Sequence, residues 1–96
     1  MAVGILLLTH PGIGTALVAS VQAMLRGNLP LPLAAFEVPF EADPDTLLPQ
    51  ASAAMRRVDN GEGVLILTDL YGASPSNLAA KLCRLGTPSR RVSALS

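Results

Sequence analysis

The chain has one histidine, His10, and it directly follows an almost uninterrupted apolar run from Val3 to Thr9. Asp69 stands in the same relation to a second run, Gly63-Val64-Leu65-Ile66-Leu67-Thr68, and is the single charged residue between Gly63 and Ala80. A carboxylate that accepts the N–H of a neutral imidazole fixes its tautomer and leaves the other ring nitrogen as a nucleophile. The carboxylate also stabilises the positive charge the ring gains on attack. Shortly after Asp69 come Gly72, Ala73, Ser74 and Pro75. Ser74 can cap free backbone N–H groups, and Pro75 suits a first helical position, where its missing N–H costs nothing. A helix start built from small residues offers backbone donors to an anion. The turn Pro11-Gly12-Ile13-Gly14 after His10 offers a second such start. Histidine, aspartate and a Gly/Ser-rich helix start together suit phosphoryl transfer through histidine. Each residue also has a plainer reading. A histidine at a strand end can cap or pack, Asp69 can cap the turn it opens, and Ser74-Pro75 is an ordinary way to begin a helix.

These residues need elements to bring them together. Two nearly continuous apolar runs suit strands covered on both faces, as in a parallel sheet. Leu17, Val18, Val21, Met24 and Leu25 form one stripe of a helix after the first run, with Gly27 as its stop. Leu78, Leu82 and Leu85 form another after the second run, with Gly86 as its stop. Between them, Leu33 to Phe40 reads as a weaker strand whose Pro39 suits a sheet edge. Asp43-Pro44 then opens a helix carrying Leu47, Leu48, Ala51, Ala54, Met55 and Val58, in which Pro49 marks either a late start or a kink. Arg91 to Leu95 reads as a fourth strand. The order β-α-β-α-β-α-β predicts an α/β fold: a doubly wound, parallel sheet of about four strands with right-handed crossovers and helices on both faces. In such sheets ligands bind beyond the carboxyl ends of the strands, where strand order reverses. If strands one and three are neighbours, His10 and Asp69 emerge at the same edge.

Composition narrows the alternatives. Ninety-six residues form one domain, 1–96, in which 50% of residues are apolar and 3% aromatic, so the core must be aliphatic. Seven basic and seven acidic residues cancel, which argues against a nucleic-acid binder. The single cysteine, Cys83, allows no disulfide framework and points to a reduced, cytoplasmic compartment. By its place in a helix Cys83 reads as core. The apolar N-terminus lacks a basic leader and is too short to span a bilayer. Gly12-Ile13-Gly14 is half a dinucleotide fingerprint, but Leu17 stands where its third glycine belongs. There is no Walker lysine motif, paired cysteines, metal-ligand cluster or G-x-S-x-G elbow, so neither cofactor nor metal is expected.

Read together, Val3-Gly4-Ile5-Leu6-Leu7-Leu8-Thr9-His10-Pro11-Gly12 and Asp69-Leu70-Tyr71-Gly72-Ala73-Ser74-Pro75-Ser76-Asn77 resemble the EIIA domain of the mannose family of the bacterial sugar phosphotransferase system. The resemblance runs over essentially the whole chain. It implies a flavodoxin-like fold and a phosphoryl carrier that accepts phosphate from the phosphocarrier HPr on a histidine and passes it to an EIIB domain. His10 matches the family's phosphorylated histidine, Asp69 its supporting aspartate, and Gly72, Ala73 and Ser74 its phosphate-binding turn. Members are typically homodimers. The chain departs from the family at Tyr71, Ala73 and Ser76, where Trp, Gly and Phe are common. The family also continues after the fourth strand with a helix and an exchanged strand, so a chain ending at Ser96 is expected to be a shortened version and a less clean dimer. Two other readings stay open: a flavodoxin-like module that holds a small anion or nucleotide without transfer, and a regulatory domain read through its phosphorylation state.

Overall fold

A computed structural model describes residues 3–69, 74–83 and 89–93. The elements run β1 (Gly4–Thr9), α1 (Gly14–Met24), β2 (Leu33–Glu37), α2 (Pro44–Val58), β3 (Val64–Thr68), α3 (Ser74–Cys83) and β4 (Ser89–Ser93). The four strands form one sheet in the order β2-β1-β3-β4, every pair parallel. The doubly wound reading is therefore right, with β1 at the point where strand order reverses. Register pairs Thr9 with Glu37 on one side and Leu8 with Thr68 on the other.

Side-chain alternation splits the sheet into two unequal faces. Leu6, Leu8, Val64 and Ile66 share one cluster with Ala51, Ala54, Met55 and Val58 of α2 and with Leu78 and Leu82 of α3. That face is an aliphatic core, as the scarcity of aromatics requires. The close approach of α2 to the sheet explains a glycine: a Cβ on Gly4 would lie against the Val58 carbonyl. The opposite face carries Ile5, Leu65 and Leu67, all half-buried, and α1 is its one helix among the described residues.

Here the expectation for α1 fails in part. An apolar stripe suits burial against the sheet, yet Leu17 is 37%, Leu25 42% and Met24 74% exposed. Amphipathic spacing shows which side of a helix is apolar, but not how much sheet lies beneath it. The helix ends in a Schellman closure, with Gly27 N–H donating to the Gln22 carbonyl and Arg26 N–H to that of Ala23. The left-handed position before the stop belongs to Arg26 (φ 52°) as well as to Gly27 (φ 78°).

Other boundaries shift. β2 ends at Glu37 rather than Phe40, because Pro39 to Ala42 form a turn closed by Ala42 N–H on the Pro39 carbonyl (3.2 Å). β2 is an edge strand, as its proline suggested. α2 starts at Pro44, capped by the Asp43 carboxylate on Asp45 N–H (3.0 Å), and continues through Pro49, which excludes a late start. β4 begins two residues earlier than the sequence suggested. Cys83 closes α3, half-buried against the core. The expected stop at Gly86 lies outside the described residues.

Candidate active site

β1 and β3 are adjacent and in register, so the residues that follow them leave the sheet side by side. His10 and Asp69, 59 residues apart in sequence, meet at this edge. One carboxylate oxygen, Oδ2 of Asp69, accepts the His10 backbone N–H at 3.0 Å and lies 3.0 Å from His10 Nδ1. The histidine side chain keeps 19% of its surface exposed and the aspartate 8%. Burial pushes the Asp69 carboxyl up, but the His10 backbone N–H, the ring and its charge outweigh this and hold it below its ordinary value. An ionised carboxylate can only accept, so Nδ1 carries the proton that faces it. In the neutral ring Nε2 is then the bare nitrogen. The second oxygen, Oδ1, is buried and without a hydrogen-bond partner among the described residues.

The backbone around His10 is held by two further residues. Thr9, fully buried, accepts the Gly14 N–H on Oγ1 at 2.8 Å and donates from the same oxygen to the His10 carbonyl at 3.0 Å. Gly14 must be small here, because a Cβ would lie 2.8 Å from that hydroxyl and 3.2 Å from the Ala35 methyl. Glu37, register partner of Thr9, accepts the Gly12 N–H at 2.9 Å and the Thr15 N–H at 3.3 Å. The Thr15 side chain, against some loss of hydration, and then the two backbone N–H groups hold its carboxyl below the ordinary value. The first turn of α1 therefore already serves an anion from its own chain. The expectation that the Pro11–Gly14 turn offers free donors to a ligand is corrected: Gly12, Gly14 and Thr15 have given theirs to Glu37 and Thr9.

The third neighbour of His10 is aromatic. Phe40 stacks on the imidazole with ring centroids 5.4 Å apart and planes 22° from parallel, while remaining 73% exposed. Neither Glu37 nor Phe40 stood out in the sequence. Reading β2 as far as Phe40 placed both inside a strand, and the usable signal was Pro39, which ends the ladder and lets the chain fold back toward His10. Thr9 was visible only as part of the Thr-His pair.

Of the remaining predicted residues, Ser74 is the first residue of α3, which begins five positions after Asp69 at the same end of the sheet. Gly72 and Ala73 lie outside the described residues. Among the described residues, no group of three or more His, Cys, Asp or Glu could hold a metal ion. No described helix is long and apolar enough to cross a membrane.

Comparison with known proteins agrees with this fold. Two solved structures share the fold: phosphotransferase system component EIIA from Streptococcus agalactiae (TM-score 0.74, 18% identity, covering 99% of this chain and 71% of that one) and a sigma-54 interaction domain protein from Enterococcus faecalis (TM-score 0.71, 20% identity, covering 98% and 69%). The transcriptional regulatory protein LevR of Bacillus subtilis (strain 168) is 34% identical over 68 residues, which are 71% of this chain. The chain spans 7% of that regulator's length. Residues 4–94, which hold both strand-end motifs, match the family described as the PTS system fructose IIA component, and the chain belongs to that EIIA-man family.

Proposed function

We propose that the protein is a cytoplasmic phosphoryl carrier in which His10 forms a covalent phosphohistidine. The observation that carries this reading is the pair of hydrogen bonds that Asp69 Oδ2 accepts, from the His10 backbone N–H and from Nδ1. It leaves Nε2 free at the carboxyl edge of a doubly wound sheet, where such folds do their chemistry. In the step, the Nε2 lone pair forms a bond to phosphorus. The bond from phosphorus to the donor breaks, and its electron pair returns to the donor. The proton on Nδ1 stays in place, so the ring becomes cationic beside an ionised Asp69. Return of the phosphoryl group to an acceptor restores the neutral imidazole. Because the start of α1 is occupied by Glu37, we assign the phosphate oxygens to the other helix start, where Gly72, Ala73 and Ser74 precede or open α3. Family membership supports phospho-HPr as donor, an EIIB domain as acceptor and a second copy of this chain as partner.

A second use of the same chemistry is supported by the likeness to LevR, a transcriptional regulator. In that reading His10 is phosphorylated as a signal and no sugar-linked EIIB takes the group on. Labelled phosphoenolpyruvate, passed through the general phosphotransferase components, decides between these. The carrier reading expects label on His10, absent from His10→Ala, stable to alkali, lost in mild acid, and transferable to EIIB. Label that no EIIB accepts favours regulation. A wild-type chain that takes no label defeats both and leaves a module that only binds an anion.

A further inference from the structure

We propose that Phe40 is a positioning residue for phosphoryl transfer, holding the plane of the His10 ring by stacking. This rests on the reading of His10 as the phosphoryl acceptor. Asp69 restrains the ring at a single atom, Nδ1. With Nδ1 held by one hydrogen bond, coupled rotation about Cα–Cβ and Cβ–Cγ can still tilt the ring plane. The Nε2 lone pair lies in the ring plane, so tilting swings it away from an incoming phosphorus. A second ring 5.4 Å away and 22° from parallel narrows that freedom, because a large tilt would drive an imidazole edge toward the phenyl face. Asp69 and Phe40 thus restrain two different motions of the same side chain, and alignment of reacting atoms is where an enzyme gains most from rigidity.

Two features argue that the stack is built rather than incidental. Phe40 is 73% exposed, so core packing does not hold it where it is. The residue after it, Glu41, adopts φ 62°, a left-handed conformation that side chains other than glycine and asparagine seldom take. The turn closed by Ala42 on Pro39 therefore accepts an unfavourable backbone conformation while presenting a phenyl ring to the imidazole. An aromatic face also lies beside the positive charge the ring gains on attack, which favours the cationic form.

The test uses the full chain as wild type, Phe40→Leu and Phe40→Tyr, with two donors. Phospho-HPr docks as a protein; phosphoramidate is a small P–N donor that needs no docking surface. Phe40→Leu should fold normally, move the His10 ring-proton resonances downfield through loss of the ring current, and slow transfer from both donors about three- to tenfold. Phe40→Tyr should restore the resonances and the rate. The proposal is overturned if Phe40→Leu transfers at the wild-type rate from phosphoramidate, if Leu and Tyr behave alike, or if only phospho-HPr transfer falls, which would make Phe40 a docking contact. A wild-type chain not labelled at His10 defeats the carrier reading itself, and the positioning role with it. A labelled chain indifferent to Phe40 defeats only the positioning role.

Discussion

Replacing Asp69 with asparagine keeps the shape of the side chain and removes its charge. An amide oxygen at the position of Oδ2 can still accept both His10 N–H groups, now as neutral hydrogen bonds. What is lost is the attraction between the carboxylate and the ring as the ring becomes cationic. At the observed 3.0 Å, a full charge pair in surroundings of effective dielectric ~20 is worth about 5.5 kcal/mol. Only part of the charge has developed at the transition state, and the imidazole side chain is 19% exposed, so about 2–3 kcal/mol is a fair share. That slows transfer by about 30- to 150-fold. Rapid-quench, single-turnover labelling from phosphoramidate measures it without a docking step, and circular dichroism checks that the fold persists. Asp69→Ala should be slower still, since it also strips the His10 backbone N–H of its acceptor. If Asp69→Asn, correctly folded, transfers within twofold of wild type, the carboxylate does not stabilise the cationic ring and the electrostatic argument is wrong.

Gly14→Ala should destabilise the fold by about 2 kcal/mol in urea titration, since the new methyl displaces the Thr9 hydroxyl and two hydrogen bonds of about 1 kcal/mol each go with it; unchanged stability would mean that Thr9 can yield. Leu6→Ala, at a fully buried position, should cost about 2–5 kcal/mol, whereas Met24→Ala on the exposed side of α1 should stay within about 0.5 kcal/mol; equal losses would show that the face under α1 is packed as tightly as the other. The Asp69 carboxyl is held below its ordinary 3.8, so its contribution is present above that pH and lost as pH falls through the lower folded value. Thermal melts from pH 5 downward should show a steep acid limb that Asp69→Asn flattens, and parallel limbs would remove Asp69 as its cause.

The chemistry-bearing pair was legible because of where it stands. His10 and Asp69 each end an apolar run too continuous for a half-exposed strand, and the alternation of strands and helices brought those two runs together. The aliphatic core was equally legible from composition. Other features depend on geometry with little sequence signature. Glu37 acts through backbone N–H groups of Gly12 and Thr15, a contact made by register between two strands rather than by any local pattern. Phe40 reaches His10 through a turn whose left-handed position is filled by glutamate, where glycine or asparagine would have announced it. The closure of α1 was legible from Gly27, although the left-handed Arg26 before it carries no such mark. The exposure of Leu17 and Met24 is a property of what lies opposite α1, and periodicity within one helix carries no information about that.

The distance along the chain between His10 and Asp69 bears on when the protein becomes chemically competent during its synthesis. A nascent chain that stops short of β3 already contains the imidazole, the Thr9 hydroxyl, Glu37 and Phe40. It does not yet contain the carboxylate. That group arrives only when β3 is laid beside β1, in the same event that brings Val64 and Ile66 into the cluster with Leu6 and Leu8. The ring is therefore left without its charge partner in any chain whose β3 has not reached β1. On the carrier reading proposed above, chains in which β3 has yet to join β1 would take up phosphoryl groups more slowly than folded ones.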